Sequence, residues 1–107
     1  MNLEDFIEDK PNMKEIKAKI RQRRSQMLVH SYLYYQKDEP IVSDDTWQKW
    51  ANELRDLQDT YPKQCLIGFF DREFFGWTGD TGMHLPLSNP YVINKAERVL
   101  KTFNEQT

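Results

Sequence analysis

Trp47, Trp50, Ala51, Leu54 and Leu57 recur at i, i+3, i+4, i+7 and i+10. That spacing places all five on one side of an α-helix and excludes a strand, where apolar residues would alternate. Ser43 precedes the stripe as an N-cap, and Asp44 and Asp45 occupy the first turn, where negative charge meets the positive end of the helix dipole. Tyr61-Pro62 ends it. Upstream, Asn12 and Glu15 form a capping-box pattern ahead of Met13, Ile16, Ile20, Met27 and Tyr34. The spacing predicts a first helix over about 13–36, stopping before Pro40, with Arg23 and Arg24 interrupting its apolar stripe. Roughly six residues join the two helices, which favours an antiparallel hairpin over 13–61.

The remaining chain has a different texture. Phe69, Phe70, Phe74, Phe75 and Trp77 crowd into nine residues around Asp71, Arg72 and Glu73 without helical periodicity. Turn residues follow at 78–82, and Asn89-Pro90 opens a last helix to about 104 with Val92, Ala96, Val99, Leu100 and Phe103 on its apolar face. So many rings need burial, which argues for an ordered connection. Leu3, Phe6 and Ile7 suggest a short N-terminal helix or arm over 1–10. The expected architecture is a single all-α domain over 1–107: three main helices, a central hairpin, and over 63–104 an aromatic-rich loop followed by the C-terminal helix. A chain of 107 residues supports one modest core.

Composition narrows the function classes. The net charge of -2 implies no general affinity for polyanions. Cys65 is alone, which excludes a disulfide framework, and His30 and His84 lack partners at metal-ligand spacing, so no metal is expected. The longest apolar run, 65–70, is too short for a membrane span and the N-terminus is acidic, so the setting expected is cytoplasmic. No Ser-His-Asp or Cys-His set assembles.

Two sets of residues remain as candidates. Tyr34 and Tyr35 fall in the last turn of the first helix, and Asp44, Trp47 and Gln48 at the start of the second. Rings and a carboxylate at one hairpin mouth suit a cationic aromatic ring joined to a sugar. The same side chains can instead seal the hairpin, with Asp44 a dipole partner. Arg21, Arg23 and Arg24, with Phe69, Phe70, Arg72, Phe74 and Trp77, form the second set: residue types frequent in protein interfaces, or else a solvated basic face and core filling. As phosphate contacts, the three arginines would give salt-sensitive binding of nucleic acid.

The pattern His30-x-Tyr32-x-Tyr34-Tyr35, Asp38-Glu39-Pro40-x-x-Ser43-Asp44, Trp47, Leu54, Leu57 and Tyr61-Pro62 resembles the N-terminal helical domain of bacterial NAD-dependent DNA ligases over about residues 24–63. The resemblance implies a site for the nicotinamide mononucleotide (NMN) half of NAD at Tyr34, Tyr35, Asp44, Trp47 and Gln48. Two positions depart from the family pattern: Trp47 stands where a tyrosine is usual, and Gln48 where an aspartate is usual. The whole chain, with Thr-Gly-x-His-Leu-Pro at 81–86, also looks like small phage and prophage proteins called ligase-related. Adenylation needs a lysine in a Lys-x-Asp-Gly setting, and no glycine here follows an aspartate. The reading is therefore a non-enzymatic module that binds a host or phage protein, in defence or in replication and ligation. The alternatives are a sensor or sequestering protein for NAD or NMN, and an accessory nucleic-acid binder.

Overall fold

The computed structural model describes residues 12–106. These form three α-helices: α1 (Met13–Tyr35), α2 (Asp44–Thr60) and α3 (Pro90–Gln106), with a 3₁₀ turn at Pro62–Cys65 and no strand among the described residues. The N-terminal arm or helix expected over 1–10 lies outside the described residues.

Local chemistry sets each helix start. Asn12 Oδ1 accepts from the amides of Lys14 (2.9 Å) and Glu15 (3.4 Å), and Ser43 Oγ accepts from the Thr46 amide at 3.1 Å, each satisfying donors that a helix N-terminus leaves free. Asn89 Oδ1 does the same for the Tyr91 amide at 2.8 Å. At the far end of α1 the chain turns through Asp38 at φ 56, and the Glu39 amide returns to the Leu33 carbonyl at 2.8 Å. A left-handed residue followed by such a six-residue return stops a helix by satisfying its last carbonyls.

Helix α1 lies at the centre. Both α2 and α3 pack their backbones against it rather than against each other. Pairings of Ser31 with Trp47, Arg23 with Glu53 and Arg24 with Gln58 show that α2 runs antiparallel to α1. The main core joins Ile20, Met27 and Leu28 of α1 to Ala51 and Leu54 of α2 and Val92 of α3. Phe69, Phe74, Trp77, Leu85 and Leu87 complete it from the connecting segment. A second cluster seats Val29 and Leu33 on Ala96 and Leu100. Because α1 has neighbours on both sides, its burial is not confined to one stripe, and Arg23, Arg24, Ser25 and Ser31 are buried with its apolar residues.

Arg24 organises the aromatic segment. Its side chain is 1% exposed and every guanidinium nitrogen has a partner: Nε donates to Gln58 Oε1, Nη1 to the Phe69 carbonyl and Asp71 Oδ1, and Nη2 to the Cys65 carbonyl. Asp71 in turn accepts from the amides of Gly68 (2.9 Å), Ile67 (3.2 Å) and Phe69 (3.4 Å). Gly68 has φ +72, a conformation that glycine adopts without steric cost. Burial raises the Asp71 carboxyl, but those three amides and Arg24 outweigh it and hold the group below its ordinary range.

Burial also corrects the candidate partner surface. Arg23 and Arg24 are buried, bound to Glu53 and Asp71, because α1 needs them to anchor neighbouring elements. Phe69, Phe74 and Trp77 are core rings, Trp77 also donating from Nε1 to the Ala51 carbonyl at 3.0 Å. Of that set Arg21 and Arg72 are exposed and Phe70 is half-buried. In the same segment Phe75 stands at the surface, 91% exposed.

Candidate functional site

Ser43 caps α2, so Asp44, Trp47 and Gln48 fall at i, i+3 and i+4 and share one face of its first turns. His30 and Tyr34 share a face of α1 in the same way. The antiparallel packing brings the two faces together at the hairpin mouth. His30, Tyr34, Tyr35, Asp44, Trp47 and Gln48, with Pro40 and Val42 of the connection, line a shallow cavity of about 180 Å³. All five residues of the first candidate set therefore meet at one pocket.

Their orientations are held from outside the pocket. Tyr34 and Tyr35 meet edge to face with centroids 4.9 Å apart, and the Tyr35 hydroxyl is hydrogen-bonded to Thr81 Oγ1 at 3.1 Å. Trp47 donates from Nε1 to Ser31 Oγ at 3.2 Å. Gln48 donates from Nε2 to the Gly79 carbonyl and to Asn52 Oδ1, both at 2.9 Å. The turn over 78–82 thus braces the pocket by three routes. The third is Gly82, against which any Cβ would overlap Ser31 Oγ and press on Trp47.

Sequence reasoning set His30 aside for lack of metal partners. The structure makes it a pocket wall, its ring tilted 45° against that of Trp50 with centroids 5.5 Å apart. Burial lowers its pKa from 6.5 to about 4, so at neutral pH the ring is uncharged, and its Nδ1 is buried without a hydrogen-bond partner. Its place at i−4 from Tyr34 was the available signal. With no lysine or arginine in the lining, Asp44 supplies the pocket's formal charge. Rings beside a lone carboxylate attract a planar cation and repel an anion. Among the described residues no group of three His, Cys, Asp or Glu side chains converges as a metal site, and no helix is long and apolar enough to cross a membrane.

An all-helical hairpin whose mouth gathers rings around one carboxylate is the class of module that these features define. The chain belongs to the family of DNA ligase-like N-terminal NAD+-binding domains, which matches residues 6–67. It is 31% identical over 101 residues to a DNA ligase of Bacteroides fragilis, covering 84% of this chain and 15% of that protein. A DNA ligase of Lawsonia intracellularis is 40% identical over 52 residues, 49% of this chain and 8% of the ligase. One from Syntrophomonas wolfei is 35% identical over 49 residues, 46% and 7% respectively. The chain thus spans 7% to 15% of the length of these ligases. No solved structure matches the chain.

Proposed function

We propose that this chain is a non-catalytic module that binds NAD+ through its nicotinamide mononucleotide half, at the hairpin mouth. The single observation that carries the reading is the convergence of Tyr34, Tyr35, Asp44, Trp47, Gln48 and His30 on one cavity with one carboxylate and no cation. Membership in a family described as NAD+-binding supports it. The residues fit the group: Tyr34 and Trp47 offer ring faces to a pyridinium, and Asp44 offers a charged acceptor for ribose hydroxyls. NAD+ would bring a positively charged ring whose attraction to those groups needs no proton transfer. Gln48 replaces a carboxylate with an amide already engaged by Gly79 and Asn52, so it acts as a brace for the wall. With one carboxylate and a shallow wall, affinity for the nicotinamide nucleoside is expected on the order of 1 mM.

Calorimetry or NMR titration with NAD+ and NMN tests the reading. Binding that is lost in Tyr34→Ala and weakened in Asp44→Asn supports it; absence of binding at 10-fold that concentration (about 10 mM) removes it.

A second reading, docking to a host or phage protein, is supported by the exposure of Phe75 at 91% and Leu66 at 78%. A pull-down whose specific partner disappears with Phe75→Ser supports that role; recovery of no specific partner counts against it.

A further inference from the structure

We propose that the shallow groove between α1 and α3 docks an acidic amphipathic helix of a partner protein, its carboxylates meeting Lys17, Arg21, Lys95 and Arg98 and its apolar side chains seated between them. The surface stands apart from the hairpin pocket, and it shares with the docking reading above only Leu66, at one end.

Three adjoining hollows make the groove. One of about 370 Å³ lies between the helices and shares Ala18 and Arg21 with a second, of about 390 Å³, towards the start of α1. It shares Lys95 and Val99 with a third, of about 440 Å³, that follows α3 to Phe103 and Ile41. Lys95 Nζ donates to Ser25 Oγ at 2.6 Å and the Tyr32 hydroxyl to Glu97 at 3.1 Å, so α1 and α3 run side by side in the same sense. From Lys17 to Ser25 the groove follows α1 for about 12 Å, and from Lys95 to Phe103 it follows α3 for about 12 Å more. A trough of about 24 Å accommodates a helix of roughly 16 residues.

Floor and rim differ in chemistry. Phe69, Val29 and Val99 in the middle, Leu66 at one end and Ile41 with Phe103 at the other give an apolar floor. Leu66 is 78% exposed and Phe103 40%, so the fold itself leaves both ends of that floor in water. Lys17, Arg21, Lys95 and Arg98 stand along the rim, and among the described residues none of them has a carboxylate within 4.0 Å. The chain carries 17 acidic residues, yet none of the described ones lines any of the three hollows. Arg21 is held over the Phe69 ring, 4.0 Å from its centroid, and Lys95 by the Ser25 hydroxyl. Such contacts orient a cation and leave its charge to an anion.

This combination selects the occupant. Apolar anchors one turn apart fill an apolar trough, and acids flanking them meet the rim, as in helix-in-groove recognition. Nucleic acid would set phosphates against the rim and leave the apolar floor uncovered. A flat lipid surface does not follow a floor recessed between two helices. A second copy docked symmetrically on the same face would bring cations against cations.

The test titrates the full chain with a synthetic capped peptide of about 16 residues, leucines at i, i+3, i+4 and i+7 with glutamates between them, by fluorescence anisotropy and backbone-amide NMR. The expected result is a Kd on the order of 10 μM that weakens as salt rises, with shifts at Ala18, Ser25, Val99 and Phe103. Arg21→Gln combined with Lys95→Gln should weaken binding about tenfold, and Val99→Ser about as much, with urea midpoints showing that both variants are folded. Phe75→Ser should leave the affinity unchanged, because Phe75 lines none of the hollows. No binding at about 1 mM overturns the proposal, as does equal binding of a peptide with lysine for glutamate or with the leucine spacing scrambled. Duplex DNA or phosphatidylglycerol vesicles bound through the same cations in place of the peptide also overturn it, as does a dimer of this chain that Val99→Ser dissociates. Peptide binding lost in Phe75→Ser but kept in the arginine–lysine double variant overturns the groove while sparing the Phe75 reading.

Discussion

Arg24 Nη1 lies 2.7 Å from Asp71 Oδ1, a contact that spans 47 positions of the chain and ties the centre of α1 to the turn that begins the aromatic segment. Three further bonds from the same guanidinium, to Gln58, Phe69 and Cys65, make it the point where α1, α2 and the connection meet. Removing the guanidinium strands a carboxylate and two carbonyls. Arg24→Ala is expected to cost about 3–5 kcal/mol in urea unfolding. Asp71→Asn, which keeps an acceptor but not the charge, should cost about 1–3 kcal/mol. An unchanged midpoint in Arg24→Ala would refute the assignment.

Acid should destabilise the fold through two groups acting in the same direction. His30 has a folded pKa near 4 against 6.5 when exposed, so the unfolded chain binds its proton first, and stability falls as pH drops from about 6.5 towards 4. Asp71 is depressed in the folded state, so its contribution is complete above the ordinary aspartate range and is lost as pH falls through its lowered value. Thermal unfolding against pH should flatten between 6.5 and 4 in His30→Gln and retain the lower limb. In the wild type, the His30 ring protons should titrate near pH 4.

Gly82 packs its α-carbon against Ser31 and Trp47. Gly82→Ala should therefore cost about 1–3 kcal/mol by overpacking, and move Trp47 off its bond to Ser31. Ser31→Gly combined with Gly82→Ala should recover part of the loss, a coupling that a double-mutant cycle in urea measures.

Charge and ring shape separate at the pocket. Asp44→Asn should weaken NAD+ binding by about fivefold to tenfold, with a stability loss of about 0.3–1 kcal/mol from the helix dipole. Tyr34→Phe should bind nearly as wild type and Tyr34→Ala should not bind, because the ring face supplies the contact. Calorimetry beside unfolding curves distinguishes a lost site from a lost fold.

Most of the pocket was legible in the chain because its residues are local. Asp44, Trp47 and Gln48 fall within two turns after one cap, and Tyr34 and Tyr35 end the preceding helix, so spacing and a short turn suffice to gather them. His30 stood in the ligase-like pattern but was not placed among the pocket residues, because it was weighed only as a metal ligand; its place in the wall follows from its spacing to Tyr34 and from the Trp50 ring against which it lies. The arginines were read as surface groups by type. Their burial depends on acceptors 30 positions away for Arg23 and 34 to 47 for Arg24.

The amino-acid sequence alone determined where the helices begin and end, since a cap, a proline or a left-handed turn acts on hydrogen bonds within a few residues. It also determined that α1 and α2 pair antiparallel, since their connection is short. Tertiary structure alone decided which side chains of α1 face inward, because a helix flanked on two sides buries residues all round and periodicity no longer marks an inside. It decided too that Arg24 is core and Arg21 surface: a buried charge is tolerable only where distant carbonyls and a carboxylate converge on it, and that convergence exists only once the chain has folded.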